Sequence, residues 1–323
     1  MFKVKKKPAP VSVTGEKKGL AVLRKDLRKN KILWLMILPV ILYVIIFNYA
    51  PMTGIIVAFK KFNYTDGILN SPWVGLANFK FLLQGGVLWR VTRNTVLYNV
   101  VFMIVDMVAQ IAVAVMLNEV RKKWFKKTTQ SLMFLPYFIS FVLVQSICYA
   151  IFSYEYGLLN NVLNAIGAEP ANVYTNPGIW PAILTFFHEW KSIGYGVVIY
   201  MAAITGISSE YYEAARVDGA TKWQQIKLIT LPLLKPTAIT LFLFAVGKIM
   251  KGQFELFYQL VGKNGLLYET TDIIDTYVFR TITETFDPGM STAAGLYQSL
   301  FGFILIMVVN TIVKKVQPDY ALF

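Results

Sequence analysis

Six long apolar blocks separated by polar stretches run along the chain, at about 32–58, 94–119, 130–152, 179–205, 236–258 and 291–313. Each reaches the roughly 20 residues that a helix needs to cross the hydrocarbon of a bilayer. Backbone groups in lipid must be hydrogen-bonded within the segment, and a barrel would show short alternating stretches instead. The pattern therefore predicts an all-α integral membrane fold with six transmembrane helices. The first block is too long for a signal-peptide core and has no small-residue cleavage site, so it is expected to remain as a span. The expected domain organisation is a basic tail, 1–31, followed by one six-span domain, 32–323, with a polar connection over 209–235.

Composition strengthens this reading. Hydrophobic residues make up 56% of the 323 residues and charged residues 15%, with a mean hydropathy of +0.51, whereas soluble domains carry about 25% charged residues. The net charge of +14 raises nucleic acid as a partner, but the positions of the basic residues answer otherwise. With the N-terminus inside, segments 1–31, 120–129, 206–235 and the tail after 313 hold eleven, five, four and two Lys/Arg, against seven in the outer loops. Basic loops stay in the cytoplasm, so both termini are expected to be cytoplasmic, and the charge reads as a topological signal with some attraction to membrane lipid. Five of the seven outer cations, Lys60, Lys61, Lys80, Arg90 and Arg93, crowd the first outer loop against that trend. The single cysteine, Cys148, lies in an apolar block with no second cysteine to join, which excludes disulfides and Cys-rich metal sites.

The most informative polar stretch is EYYEAARVDGATKWQQIKLITLPLLKP, residues 210–236. Glu213–Val217 read as a short helix with acids at its positive end. Gly219 permits a tight turn, and 221–229 read as a second helix closed by Pro232 and Pro236. A helical hairpin fixed between two spans is suited to docking in a partner's groove. Two alternatives fail on chemistry. No G-x4-G-K-[ST] loop occurs, and GKNG at 262–265 lacks the strand and helix that would make it a phosphate cradle. His188–Glu189 opens like a zinc-protease helix, but Ser192 stands where the second histidine belongs.

The run Glu213, Ala214, Ala215, three residues, Gly219, nine residues, then Ile229, Leu231 and Pro232 resembles, without a gap, the signature loop of permeases of binding-protein-dependent ABC importers. The resemblance extends through WVGLANFKFLL (73–83), LMFLPYFIS (132–140), IYMAAITGISSEYYEAARVDGA (199–220) and PDYALF (318–323), and is to the compact six-span oligosaccharide branch. It implies a type I importer permease in the bacterial cytoplasmic membrane. Its loop, including Glu213, Ala214, Ala215, Asp218 and Gly219, would act as the coupling helix of a separate ATPase. The implied partners are a second permease subunit, two ATPase subunits that bind ATP and Mg, and an extracytoplasmic solute-binding protein. The chain itself would be neither an enzyme nor a cofactor carrier.

Ionisable groups within spans are costly, about 2.5–3.5 kcal/mol each at mid-membrane, and need a function or a partner. Two clusters stand out. In the fourth block His188, Glu189, Lys191 and Tyr195 fall within two turns; in the fifth, Lys248, Lys251 and Glu255 follow an i, i+3, i+7 spacing that predicts one helical face, beside Gln253. These eight are the candidate solute path. Ion pairing, Lys251 with Glu255 and Glu189 with a lysine, is the competing reading. By position, the resemblance assigns Tyr195 an aromatic solute contact and Gln253 an amide contact. The lysines depart from the neutral family pattern, which points to an acidic oligosaccharide such as alginate or another uronate chain. Asp106 and Gln110 form another polar i,i+4 pair, to which no role is assigned. A permease for a different solute, a secondary transporter and a membrane-embedded enzyme are the rival functions; internal repeats of the kind common in secondary transporters are not evident.

Overall fold

The computed structural model describes residues 29–316; the basic tail, apart from its last three residues, and the closing PDYALF lie outside the described residues. The chain divides into two units, Met1–Ile55 and Ile56–Phe323. In the first, α1 (Lys31–Val44) continues through a π turn, Ile45–Tyr49, into a 3-10 stretch. Among the described residues, none of α1 is buried. A helix that is apolar on every side is one that lipid or another protein covers.

The second unit contains α2 (Val87–Glu119), α3 (Lys123–Phe134), α4 (Phe141–Phe152), α5 (Trp180–Thr205) and α6 (Ser209–Val217). They are followed by α7 (Lys222–Val246), α8 (Phe254–Val261), α9 (Ile274–Thr283) and α10 (Pro288–Val316). Among the described residues the only β pairing is an isolated bridge between Lys60 and Trp73. Among the described residues four helices are individually long and apolar enough to cross a membrane, and up to six spans result when α3–α4, bent by 99°, and α5–α6, bent by 66°, each count as one.

Among the described residues the helices pack through three apolar clusters. Tyr98, Phe102, Cys148, Trp180, Phe187 and Phe257 form one, Leu82, Val91, Met250, Ile274 and Ala294 another, and Ala114, Val197, Tyr200, Ile204 and Leu234 the third. Close approach of α2 and α5 depends on Gly196, where any side chain would overlap that of Gln110.

Three expectations are corrected. The helix of the polar hairpin starts at Ser209 rather than Glu213, because Ser208 caps it by accepting from the Glu210 amide at 3.3 Å. Pro232 and Pro236 do not close its second helix: α7 runs through both. A π stretch, Ile226–Thr230, precedes Leu231, so Pro232 sits at the start of the following α-helical segment, where its missing N–H is tolerated. The fifth span does not continue to 258 as one helix. It ends at Val246, the chain turns across Gly247–Gln253, and α8 begins at Phe254. Lys248, Lys251 and Glu255 therefore do not share one helical face, and Lys251 and Glu255 form no ion pair.

Three of the five crowded cations of the first loop have internal partners. The Lys60 ammonium donates to the Ile68 and Leu69 carbonyls at 2.9 and 2.6 Å, Arg90 lies 3.6 Å from Asp272, and Arg93 donates to the Glu269 carbonyl at 3.4 Å. A cation satisfied inside the fold says less about sidedness than a free one in a flexible loop.

Candidate functional site: a polar cavity joined to an exposed hairpin

A cavity of about 590 Å³ lies among α2, α5, α7 and the bend between α3 and α4, within the roughly 300–1,000 Å³ common for ligand sites. From α2 it receives Asp106 and Gln110; from α5, His188, Ser192, Tyr195 and Gly196; from the bend, Tyr137. Beyond the end of α7 it receives Lys248 and Gln253. Four of the eight residues expected in a solute path, His188, Tyr195, Lys248 and Gln253, thus line one cavity. Glu189, Lys191, Lys251 and Glu255 do not belong to the lining.

Asp106 is the centre of the cluster. Its carboxylate lies 3.0 Å from His188 Nε2 and accepts from the Ser192 hydroxyl at 2.8 Å. The His188 ring is buried and stacks on Phe102, with centroids 3.9 Å apart. The sequence held a signal for this: an acid within one apolar block needs a partner, and His188 is the chain's only histidine. Glu189 turns its carboxyl away from solvent beside Asp106. No lysine reaches it, so the expected Glu189–lysine pair is absent.

Lys191 is spent on backbone. Its ammonium donates to the carbonyls of Pro136 at 3.3 Å and Tyr137 at 2.7 Å, and to that of Ile139. Lys248, by contrast, is exposed at the cavity. Tyr137 and Tyr195 stack at 5.3 Å with their planes 14° apart. The wall therefore combines aromatic faces, neutral hydroxyl and amide groups, a carboxylate and a cation, which is the chemistry that holds a polyhydroxylated ligand.

The hairpin lies at the other end of the same helices. Gly219 adopts φ +80, in the left-handed region that favours glycine. Thr221 and Gln224 form a capping box at the start of α7. Tyr212 and Thr230 hydroxyls meet at 2.9 Å across the hairpin, Gln225 donates to the Ala220 carbonyl at 3.0 Å, and Lys222 pairs with Glu119 of α2 at 3.0 Å. Glu213, Ala214, Asp218 and Gly219 are exposed, Ala215 half-buried. Val217 and Trp223 are 88% and 69% exposed, and Tyr211 and Leu228 are exposed as well, so the hairpin presents apolar side chains among its polar ones.

At the opposite end α2 is tied to the segment just before α9, and α9 to that segment in turn. Asn94 donates to the Glu269 and Asp272 carbonyls, both at 3.0 Å, and Arg280 bonds the buried Asp272 carboxylate at 2.7 Å. Burial alone would push the Arg280 guanidinium down, but its hydrogen bond to Asp272 and that group's charge hold it above its ordinary value.

Six helical spans, a polar cavity, and an exposed hairpin joining the two helices that wall it define a polytopic membrane permease. Residues 110–318 match the family described as "Binding-protein-dependent transport system inner membrane component", and the chain belongs to that family. It is 33% identical over 315 residues to Protein LplB of Bacillus subtilis, covering 98% of each chain. It is also 34% identical over 308 residues to the polygalacturonan/rhamnogalacturonan transport system permease protein YteP of the same organism, covering 95% of each. Its structure resembles a chain in the crystal structure of a bacterial ABC transporter involved in the import of the acidic polysaccharide alginate. The TM-score is 0.84 and the identity 32%, over 92% of this chain and 99% of that one.

Proposed function

We propose that this chain is the permease subunit of an ATP-driven importer that moves an acidic oligosaccharide, of the uronate type, by alternating access. An extracytoplasmic binding protein delivers the solute, a second permease completes the enclosure, and two ATPase subunits, which hold ATP and Mg, bind the hairpin. The basic tail, both termini and the hairpin lie in the cytoplasm, as the Lys/Arg distribution favours.

One observation carries this reading: the hairpin over 209–230 connects directly into α5 and α7, the helices that supply His188, Ser192 and Tyr195 on one side of the cavity and lead to Lys248 and Gln253 on the other. A force on Glu213–Gly219 is thereby transmitted to both walls. The solute class rests on Lys248, because a cation in a site of reduced dielectric favours a carboxylate, and on the polygalacturonan and alginate systems to which two similar proteins belong.

In the reconstituted importer, Lys248→Gln is expected to remove about tenfold of the preference for an alginate oligosaccharide over its carboxyl-reduced, neutral analogue. An unchanged preference refutes the acidic assignment. Gly219→Val, which forces a side chain into the left-handed region, is expected to abolish solute-stimulated ATP hydrolysis; retained stimulation refutes coupling through the hairpin. A neutral solute, with Lys248 serving only to meet the partner permease, is the second reading, and equal loss for both analogues would favour it.

A further inference from the structure

We propose that Lys191 is a positioning residue: it clamps the break between α3 and α4 and thereby sets the Tyr137–Tyr195 aromatic pair of the cavity. The inference rests on the cavity being the solute path.

At the sharp bend the Ile139 amide still bonds the Pro136 carbonyl at 3.1 Å, closing the 3-10 turn Leu135–Phe138, but no backbone amide reaches the carbonyls of Tyr137 and Ile139. At membrane depth such groups must be satisfied by protein. An ammonium has three N–H donors and no acceptor, and Lys191 directs all three at this turn, to Pro136, Tyr137 and Ile139. Its charge also lies 4.9 Å from the Phe141 ring centre and 5.9 Å from that of Tyr137. The last carbonyls of a helix carry partial negative charge, so a cation suits this place better than a neutral donor.

The residues that follow on α5 complete the clamp. Gly194 has no room for a side chain because the backbone of Met133 and Phe134 occupies that space. Tyr195, beside it, stacks on Tyr137. Lys191 caps the turn, Gly194 admits its backbone, and Tyr195 meets the ring that the turn presents. Lys191 itself has no N–H left for a solute.

The test uses the complete importer in proteoliposomes with alginate pentasaccharide delivered by its binding protein. Lys191→Met is expected to raise the half-saturating concentration about tenfold with the maximal rate changed less than twofold; Lys191→Arg, which keeps donors and charge, should restore it to within about threefold of wild type. In a Tyr137→Leu background Lys191→Met should add nothing, since both act through one ring. Unchanged half-saturation in Lys191→Met, or fully additive losses, overturns the clamp. So does a loss confined to the charged oligosaccharide and absent for its carboxyl-reduced analogue, which would make Lys191 a solute contact. If Lys191→Met is not recovered from the membrane, Lys191→Gln, with two amide donors, carries the same comparison. Tyr195→Ala separates the two levels. If it leaves uptake unaltered, the cavity reading fails; if it impairs uptake while Lys191→Met is silent, only the clamp fails.

Discussion

Two interruptions of helix border the cavity, one between α3 and α4 and one between α7 and α8, and they are mended in different ways. At the break between α3 and α4, exposed carbonyls gather round a cation from α5, and one helix closes the whole bend through Lys191 and Gly194. At the break between α7 and α8, loose amides and carbonyls are shared among three elements. Asp275 of α9 accepts from the Gly252 amide at 2.7 Å, Gln298 of α10 donates to the Met250 carbonyl at 2.7 Å, and Asn99 of α2 donates to the Ile249 carbonyl at 3.0 Å. The first is a single point of control and the second a distributed one. Non-helical backbone in a membrane survives only where protein groups satisfy it, and the number of elements that do so determines how far one substitution spreads. Both breaks border the cavity, through Tyr137 at one and Lys248 and Gln253 at the other, so each is a place where the wall can change shape without unwinding a full span.

The largest expected effect comes from Gly194→Ala. The new methyl meets backbone of Met133 and Phe134, which cannot rotate aside, so α5 must move or the bend must open. About 3 kcal/mol of destabilisation is expected, at the upper end of ordinary overpacking, read as a fall in the thermal unfolding midpoint of the purified importer. Gly252→Ala sharpens the contrast. There the methyl meets the tips of Ile273 and Asp275, which can shift, and about 1 kcal/mol is expected. Between them stands Asp275→Ala, which strips the Gly252 amide and one Gln298 bond of a charged acceptor; about 2 kcal/mol is expected. If Gly252→Ala proves as harmful as Gly194→Ala, the distinction between a rigid and a shared repair is wrong.

Apolar periodicity made the spans readable, because a run long enough to cross the bilayer has few other uses. It could not show the breaks, since LMFLPYFIS and FAVGKIMKGQFE remain apolar enough to pass as helix while Pro136, Gly247 and Gly252 interrupt them. Lys248, Lys251 and Glu255 looked like one stripe only on the assumption of unbroken helix. Pro232 and Pro236 erred the other way: they read as stops, but a π turn just upstream places Pro232 where no N–H is needed. Within the site, His188, Tyr195, Lys248 and Gln253 were legible as polar residues in apolar company. Asp106 was visible only as an acid in need of a partner, and Ser192 and Tyr137 not at all, because their importance lies in contacts between blocks 82 or more residues apart or across a bend. Lys191 was visible as an intramembrane charge, but only the fold shows that carbonyls had already claimed it.

The smallest expected effect belongs to Asn99→Leu, and it tests whether the second break is truly shared. Asn99 donates to its own helix at Thr95 at 2.8 Å as well as to the Ile249 and Lys251 carbonyls at 3.0 and 3.4 Å. Leucine is close in size and suits lipid, so packing changes little and only the donors are lost. Side-chain hydrogen bonds between membrane helices contribute about 0.6 kcal/mol on average, and with Gln298 and Asp275 still in place the break should hold. The expected result is a shift of the unfolding midpoint near the limit of detection, with hydrogen exchange faster only at the amides of 249–252 and the α3–α4 bend unaffected. A loss as large as that of Asp275→Ala would mean that Asn99 is the main support of the α7–α8 break, which would then resemble the single-residue repair made by Lys191.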